Sequence, residues 1–377
     1  MPRSFVLGNG SLLIGLDRFG QVRDLYFPHI GLENQVGAGG VHKIGIWIDG
    51  QMSWLDSNEW DITIDCAPDA LAATVNASHK SKEISIIFED IVYNEKNIFI
   101  RKAIIKNFSQ AQRGVKIFFY QQFELYESHR GDTAYFDPIK KVIVHYKGRR
   151  VILLNARKGK ESFDDYGGGL FHIEGREGSF RDAEDGELSK NAIEHGKVDS
   201  ILGLSVSIAP QGSAIVHYWL TIAKSLAEAK DLNNYVIEKT PDYLMKTTKD
   251  FWHAWINKRS FTFMGLDSDV VKLFKKSLFI IRSHVDTNGA IIASGDSDML
   301  QYGRDTYSYM WPRDGAISAM ALDKAGDMNV ARRFFEFCNE IVTDDGYFLH
   351  KFRSDGSLGS SWHPWVREGV AALPIQE

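Results

Sequence analysis

From the N-terminus to about residue 222, apolar positions fall in short runs rich in β-branched and aromatic residues. Examples are Ile44–Ile48, Ile84–Phe88, Ile98–Ile105, Val115–Phe119, Val142–His145, Val151–Leu154 and Ala214–Ile222. Polar or glycine-bearing stretches such as Gly10–Ser11, Asp49–Gly50 and Lys147–Gly148 separate them. This pattern predicts strands. With no helix between them to make parallel crossovers, they predict an antiparallel β-sandwich over residues 1–224. Residues 155–200 are polar and carry Gly167–Gly169, and they read as a long decorated loop within that domain.

The period then changes from two to 3.6. Ser225–Glu238 reads as a helix, Thr240–Pro241 punctuates it, and Pro241–Lys258 follows with Tyr243, Leu244, Phe251, Trp252 and Trp255 as an aromatic stripe suited to docking on a neighbour. Residues 225–262 are therefore expected to be a helical linker. Asp267–Ser268 offers a cap for a helix to about Val285, with Val270, Leu273, Phe274, Leu278, Ile281 and Val285 on one face. Pro312 suits the first turn of a helix over Arg313–Ala325 that stops at Gly326, and Asp327 or Asn329 opens Val330–Val342. Helices joined by long loops over 263–377 predict part of a helical-hairpin barrel. GVAALPIQE stops at what reads as a helix start, and a few amphipathic helices do not close a core, so the expectation is a chain cut within that barrel.

Composition adds boundaries. A length of 377 residues suits two to three domains, and 44% hydrophobic with 25% charged residues is ordinary for a soluble protein. A net charge of −5 argues against a nucleic-acid partner. The first residues lack a continuous apolar signal segment and no stretch has the length of a membrane span, so the chain reads as cytoplasmic. Cys66 and Cys338 match no metal spacing and read as free thiols. Asp296–Asp298 and Asp344–Asp345 lack the spacing of a calcium loop and read as turns and caps, so neither metal nor other cofactor is expected. No phosphate-binding glycine loop, dinucleotide fingerprint or nucleophile elbow is present. Aromatics reach 12%, with nine Trp, which suits either core packing or the apolar faces of sugar rings.

The densest chemistry lies in Asp298–Gly315, DMLQYGRDTYSYMWPRDG. Two Arg-Asp dipeptides, Arg304–Asp305 and Arg313–Asp314, set a charged donor beside a charged acceptor, which matches neighbouring sugar hydroxyls that both donate and accept. Tyr307, Tyr309 and Trp311 can supply a platform under the ring. A salt bridge with aromatic core packing is the competing reading. Later, GSLGSSWHPW places Trp362, His363 and Trp365 on a Gly/Ser-rich loop, either against a substrate or as a structural plug. His350 falls in no pattern.

YSYMWPRDG resembles the first signature of the inverting glucoamylase-type glycoside hydrolases, a family of glucoamylases, glucodextranases and some microbial trehalases. The approach NGAIIASGDSD (Asn288–Asp298) and the opening GNGSLLIGLDRFGQVRDLYFPHIGLENQV (Gly8–Val36) are similar to the same family's barrel entry and N-terminal sandwich. The resemblance implies a sandwich, a helical linker and the first part of an (α/α)6 six-hairpin barrel. It implies that Tyr307, Trp311, Arg313 and Asp314 line the subsite of the non-reducing glucose and that Tyr309 supports them; Trp362 and His363 join them as candidate substrate contacts on the reading of their loop alone. It also implies an α-glucoside partner, with a trehalase as the variant within the family.

Inverting hydrolysis needs a general acid and a general base on opposite faces of the sugar. In the resembled family both are glutamates on later barrel loops, one in a WEE-type motif. No WEE occurs here, and Glu368 and Glu377 match no motif, so both catalytic carboxylates are expected downstream of Glu377. The chain alone is expected to bind sugar without turning it over. A sandwich-plus-barrel disaccharide phosphorylase and a non-catalytic sugar-binding protein are the rivals, and self-association through the exposed barrel face is the expected protein contact.

Overall fold

The computed structural model describes residues 3–37, 39–128, 130–258, 261–300 and 305–359. Its strands pair antiparallel into three sheets among those residues. Nine strands of the largest lie in the order 193–196, 132–137, 142–147, 150–158, 213–223, 98–107, 84–92, 73–79 and 60–66, and the short strand 161–162 pairs with 150–158. Facing it is a five-stranded sheet in the order 165–170, 198–208, 113–122, 44–48 and 51–54. A smaller four-stranded sheet runs 5–8, 13–16, 22–29 and 32–34.

Alternation decides which residues meet between the two large sheets. Ile117 and Phe119 of one and Val216, Tyr218 and Leu220 of the other point into a shared buried core. Phe119 stacks on Tyr218 across the gap at 4.7 Å between ring centroids. The run Ile98–Phe99–Ile100 is apolar on both faces for a reason. Phe99 enters the sandwich core, whereas Ile98 and Ile100 pack outward with Trp219, Val236, Leu244 and Met245 beneath two helices.

Residues 155–200 correct the sequence reading. They are not one long loop: the end of strand 150–158, strands 165–170 and 193–196 and the start of 198–208 lie within them. The glycine run reads as loop because glycine has low strand propensity. It pairs in register nonetheless, Gly167 opposite Ile201 and Gly169 opposite Asp199. A side chain at Gly169 would sit 3.0 Å from Asp199 Oδ1 and 3.1 Å from Ser179 Cβ, so the sheet uses glycine for a close approach.

After Ala223 the chain is helical. Helix α1 spans Leu226–Lys239 and α2 Pro241–Ile256. Ser225 caps α1 by accepting the Glu228 amide at 3.2 Å, and Glu228 accepts the Lys224 amide at 3.1 Å, a reciprocal arrangement like a capping box. Asn233 fixes α1 on the sheet by accepting hydrogen bonds from Trp219 and Asn155, both at 3.0 Å. Of the aromatic stripe on α2, Trp252 and Trp255 are buried and meet Phe279 at 5.8 and 5.7 Å, whereas Tyr243 and Phe251 are exposed.

Helices α3 (Ser268–Ser283), α4 (Pro312–Lys324) and α5 (Met328–Ile341) follow. The apolar face expected on α3 is buried only toward its C-terminus. Leu278 and Val285 are covered, but Val270, Leu273 and Phe274 are exposed, as are Ile317 and Met320 on α4 and Phe335 on α5. The fold is thus a multi-sheet antiparallel β domain followed by helices. One core joins the two parts, running from Leu7 and Ile14 to Phe279, Val285, Met310 and Phe334. Cys66 and Cys338 are free. No helix among the described residues is long and apolar enough to cross a membrane.

Candidate sugar-binding site

The motif Tyr307–Asp314 enters helix α4 from an extended segment that both halves of the molecule hold. On the sandwich side, Tyr26 Oη lies 3.3 Å from Ser308 Oγ, and from the segment after α3 the Ala293 amide donates to the Tyr309 carbonyl at 2.9 Å. On the other side Met310 and Phe352 exchange both backbone hydrogen bonds, each 2.9 Å. This pairing sets Lys351 beside the motif's rings.

Pro312 occupies the first turn of α4, where its missing N–H costs nothing. That start places Arg313 and Asp314 side by side at the helix entrance. Arg313 Nη2 lies 3.2 Å from Asp314 Oδ1, with side-chain exposures of 84% and 44%. So open a pair contributes little to stability and remains available to a ligand. Gly315 follows because nothing larger fits: a Cβ there would stand 2.4 Å from Phe334 Cε2 on α5.

Trp311 is flanked by both tyrosines. Its ring tilts 39° to that of Tyr307 at 5.7 Å and meets Tyr309 edge-on at 5.9 Å. Tyr307 is exposed, Trp311 half-buried and Tyr309 buried. Tyr309 donates its hydroxyl to Asp305 Oδ1 at 3.1 Å, and Lys351 Nζ reaches Asp305 Oδ2 at 2.9 Å. Beside Tyr309 an open cavity of about 290 Å3 lies between the two halves, lined among others by Tyr26, Glu33, Glu127, Ser308 and Arg353. Its size is near the lower end for small-molecule sites.

Of the residues expected to bind substrate, Tyr307, Trp311, Arg313 and Asp314 thus share one segment and one helix entrance. Trp362, His363 and Trp365 lie outside the described residues, as do Arg304, Glu368 and Glu377. Sequence reading missed Lys351 and gave no role to its neighbour His350. Burial, Lys351 and Arg313 all hold His350 below the ordinary histidine range, so its ring is neutral at pH 7. Neither residue lies in a spacing pattern; only the backbone pairing of Phe352 with Met310 brings them to the site. Asp296 and Asp298, read as turns, also bind Arg3: Asp296 accepts its backbone amide at 3.1 Å, and Asp298 pairs with its guanidinium at 2.8 Å. No cluster of three or more metal-ligating side chains occurs among the described residues.

No family model matches the chain. An uncharacterised glycosyl hydrolase of Methanocaldococcus jannaschii is 23% identical over 358 residues, covering 93% of this chain and 55% of the relative. The chain therefore spans about half the length of the curated relative it matches. Among solved structures, a bacterial glucoamylase complexed with acarbose superposes with a TM-score of 0.76 at 16% identity, covering 94% of this chain and 52% of that one. A protein assigned as a kojibiose phosphorylase from the human microbiome gives 0.56 at 12% identity, covering 85% and 44%. The chain is thus similar in sequence to a glycosyl hydrolase along nearly its whole length, and its fold is like that of the bacterial glucoamylase.

Proposed function

We propose that this chain carries the glucose-binding wall of an exo-acting α-glucoside hydrolase of the inverting type. Arg313 and Asp314 hold hydroxyls of the terminal non-reducing glucose, while Tyr307 and Trp311 cover its apolar face. The observation that carries this reading is the exposed Arg313–Asp314 pair at the entrance of α4, set next to two tilted aromatic rings. Such a pair offers charge-assisted donors and acceptors to neighbouring hydroxyls. We read α3, α4 and α5 as the opening helices of an (α/α)6 barrel. In the reaction proposed for the whole protein, water attacks the anomeric carbon directly, and the acid and base stand roughly 6.5–9.5 Å apart. Neither is assigned to a residue of this chain.

Calorimetric titration with maltose, isomaltose and trehalose tests the reading. Binding of at least one, weakened about tenfold or more by Arg313→Ala, is expected from loss of a charged hydrogen bond. Failure to bind all three overturns it. In a protein of the relative's full length, glucose release independent of phosphate is expected. Release of a sugar phosphate only when phosphate is present would assign the phosphorylase reaction instead.

A further inference from the structure

Behind the aromatic wall stands a lysine in a place where lysine is costly. The Lys351 side chain is 1% exposed. Burying an ammonium group is expensive unless charge and hydrogen bonds replace its water. Among the described residues, the groups that do so include a carboxylate and two ring faces. Asp305 Oδ2 lies 2.9 Å from Nζ, the Tyr309 ring centroid 4.4 Å and the Trp311 centroid 5.8 Å. Asp305 closes the set by accepting the Tyr309 hydroxyl on its other oxygen at 3.1 Å. The following loop packs down on it: a Cβ at Gly359 would lie 2.7 Å from Lys351 Cγ and 3.1 Å from Tyr309 Cδ1.

The same lysine touches both rings whose mutual angle shapes the wall. An apolar side chain would fill the volume with no desolvation cost, but it would hold neither Asp305 nor the ring faces. We propose that Lys351 is a positioning residue for sugar recognition: through Asp305 it locks Tyr309, and over the ring faces it fixes the edge-on contact that orients Trp311. The inference rests on the reading of Trp311 and Arg313 as a sugar wall and names what holds that wall in place.

The test compares Lys351→Met, Lys351→Arg and the double variant Lys351→Met/Asp305→Asn, which removes both charges and keeps an acceptor for Tyr309. Thermal unfolding, maltose affinity and the near-ultraviolet circular dichroism of Trp311, identified by subtracting the spectrum of Trp311→Phe, are measured for each. Lys351→Met is expected to lower stability, to raise the maltose Kd about tenfold and to flatten the Trp311 band. The double variant is expected to recover stability but neither the affinity nor the band, and Lys351→Arg to recover part of both. A double variant with the wild-type Kd and an intact Trp311 band would overturn the inference, since the lysine would then serve stability alone. Arg313→Ala, measured alongside, separates the two claims. If it weakens binding while Lys351→Met does not, only the positioning role falls. If maltose binds neither wild type nor any variant, the wall reading falls and takes this inference with it.

Discussion

Arg101 and Asp90 are cross-strand partners that meet through two hydrogen bonds in the sandwich interior. Nε–Oδ1 is 2.8 Å and Nη2–Oδ2 is 2.5 Å, with side-chain exposures of 3% and 0%. Arg101 Nη2 also donates to the Gly20 carbonyl at 2.6 Å, tying the turn before strand 22–29 to the largest sheet. Removing one member leaves the other charge buried and unpaired. Arg101→Met is expected to cost about 3–5 kcal/mol in urea unfolding, and Arg101→Met/Asp90→Asn clearly less. Equal losses in the two variants would show that the ion pair does not govern this site.

His42 and His145 lie fully buried on either side of Phe123, and burial pushes both down to about 3. His42 Nε2 donates to the Gln122 carbonyl at 3.2 Å, and His145 Nε2 lies 2.8 Å from Ser200 Oγ. The unfolded chain titrates them near 6.5, so it binds more protons than the folded chain below that pH. Their contribution is complete above about 6.5 and is lost as pH falls toward about 3, at up to about 1.4 kcal/mol per pH unit for each ring. Unfolding midpoints between pH 7 and 4 should fall steeply in the wild type and less steeply in His145→Gln. Parallel slopes would contradict this.

Gly315→Ala is expected to destabilise by about 1–3 kcal/mol although alanine is the better helix former, because its Cβ meets the Phe334 ring on α5. Phe334→Leu in the same chain should relieve part of the loss. Gly114, with no described residue within 4 Å of a built Cβ, is the control, and its alanine variant should change the melting temperature little. A loss at Gly114 as large as at Gly315 would remove the steric account.

The paired tryptophans of α2 should separate in energy. Trp255 Nε1 donates to Asp327 at 2.7 Å, whereas Trp252 Nε1 has no partner among the described residues. Trp255→Phe is expected to cost about 1–3 kcal/mol by leaving a buried acceptor short of a donor, and Trp252→Phe less. The reverse order in thermal melts would mean that ring volume outweighs the hydrogen bond.

These residues also show what was legible from sequence. Strands such as Ile98–Asn107 and Ser213–Ala223 announce themselves because burial on two faces demands β-branched and aromatic runs. Asp267 is readable as a helix cap because capping is local chemistry. Strand Asp165–Leu170 is not, since Gly169 answers a tertiary crowding at Asp199 and Ser179 that no window along the chain contains. The candidate site divides in the same way. Trp311, Arg313 and Asp314 are neighbours in sequence and stood out together. Asp305 and Lys351 form one ion pair across 46 positions, and a single lysine in HKFRSDG carries no local mark of its partner.

The reciprocal bonds between Met310 and Phe352 turn everything between them, α4 and α5 included, into a tethered loop with its ends tied at the wall itself. Neither amide can exchange with solvent unless that tie opens. Deuterium uptake at Met310 and Phe352 should therefore rise and fall together, and a sugar held against Trp311 should slow both at once, making the pair a built-in gauge of occupancy.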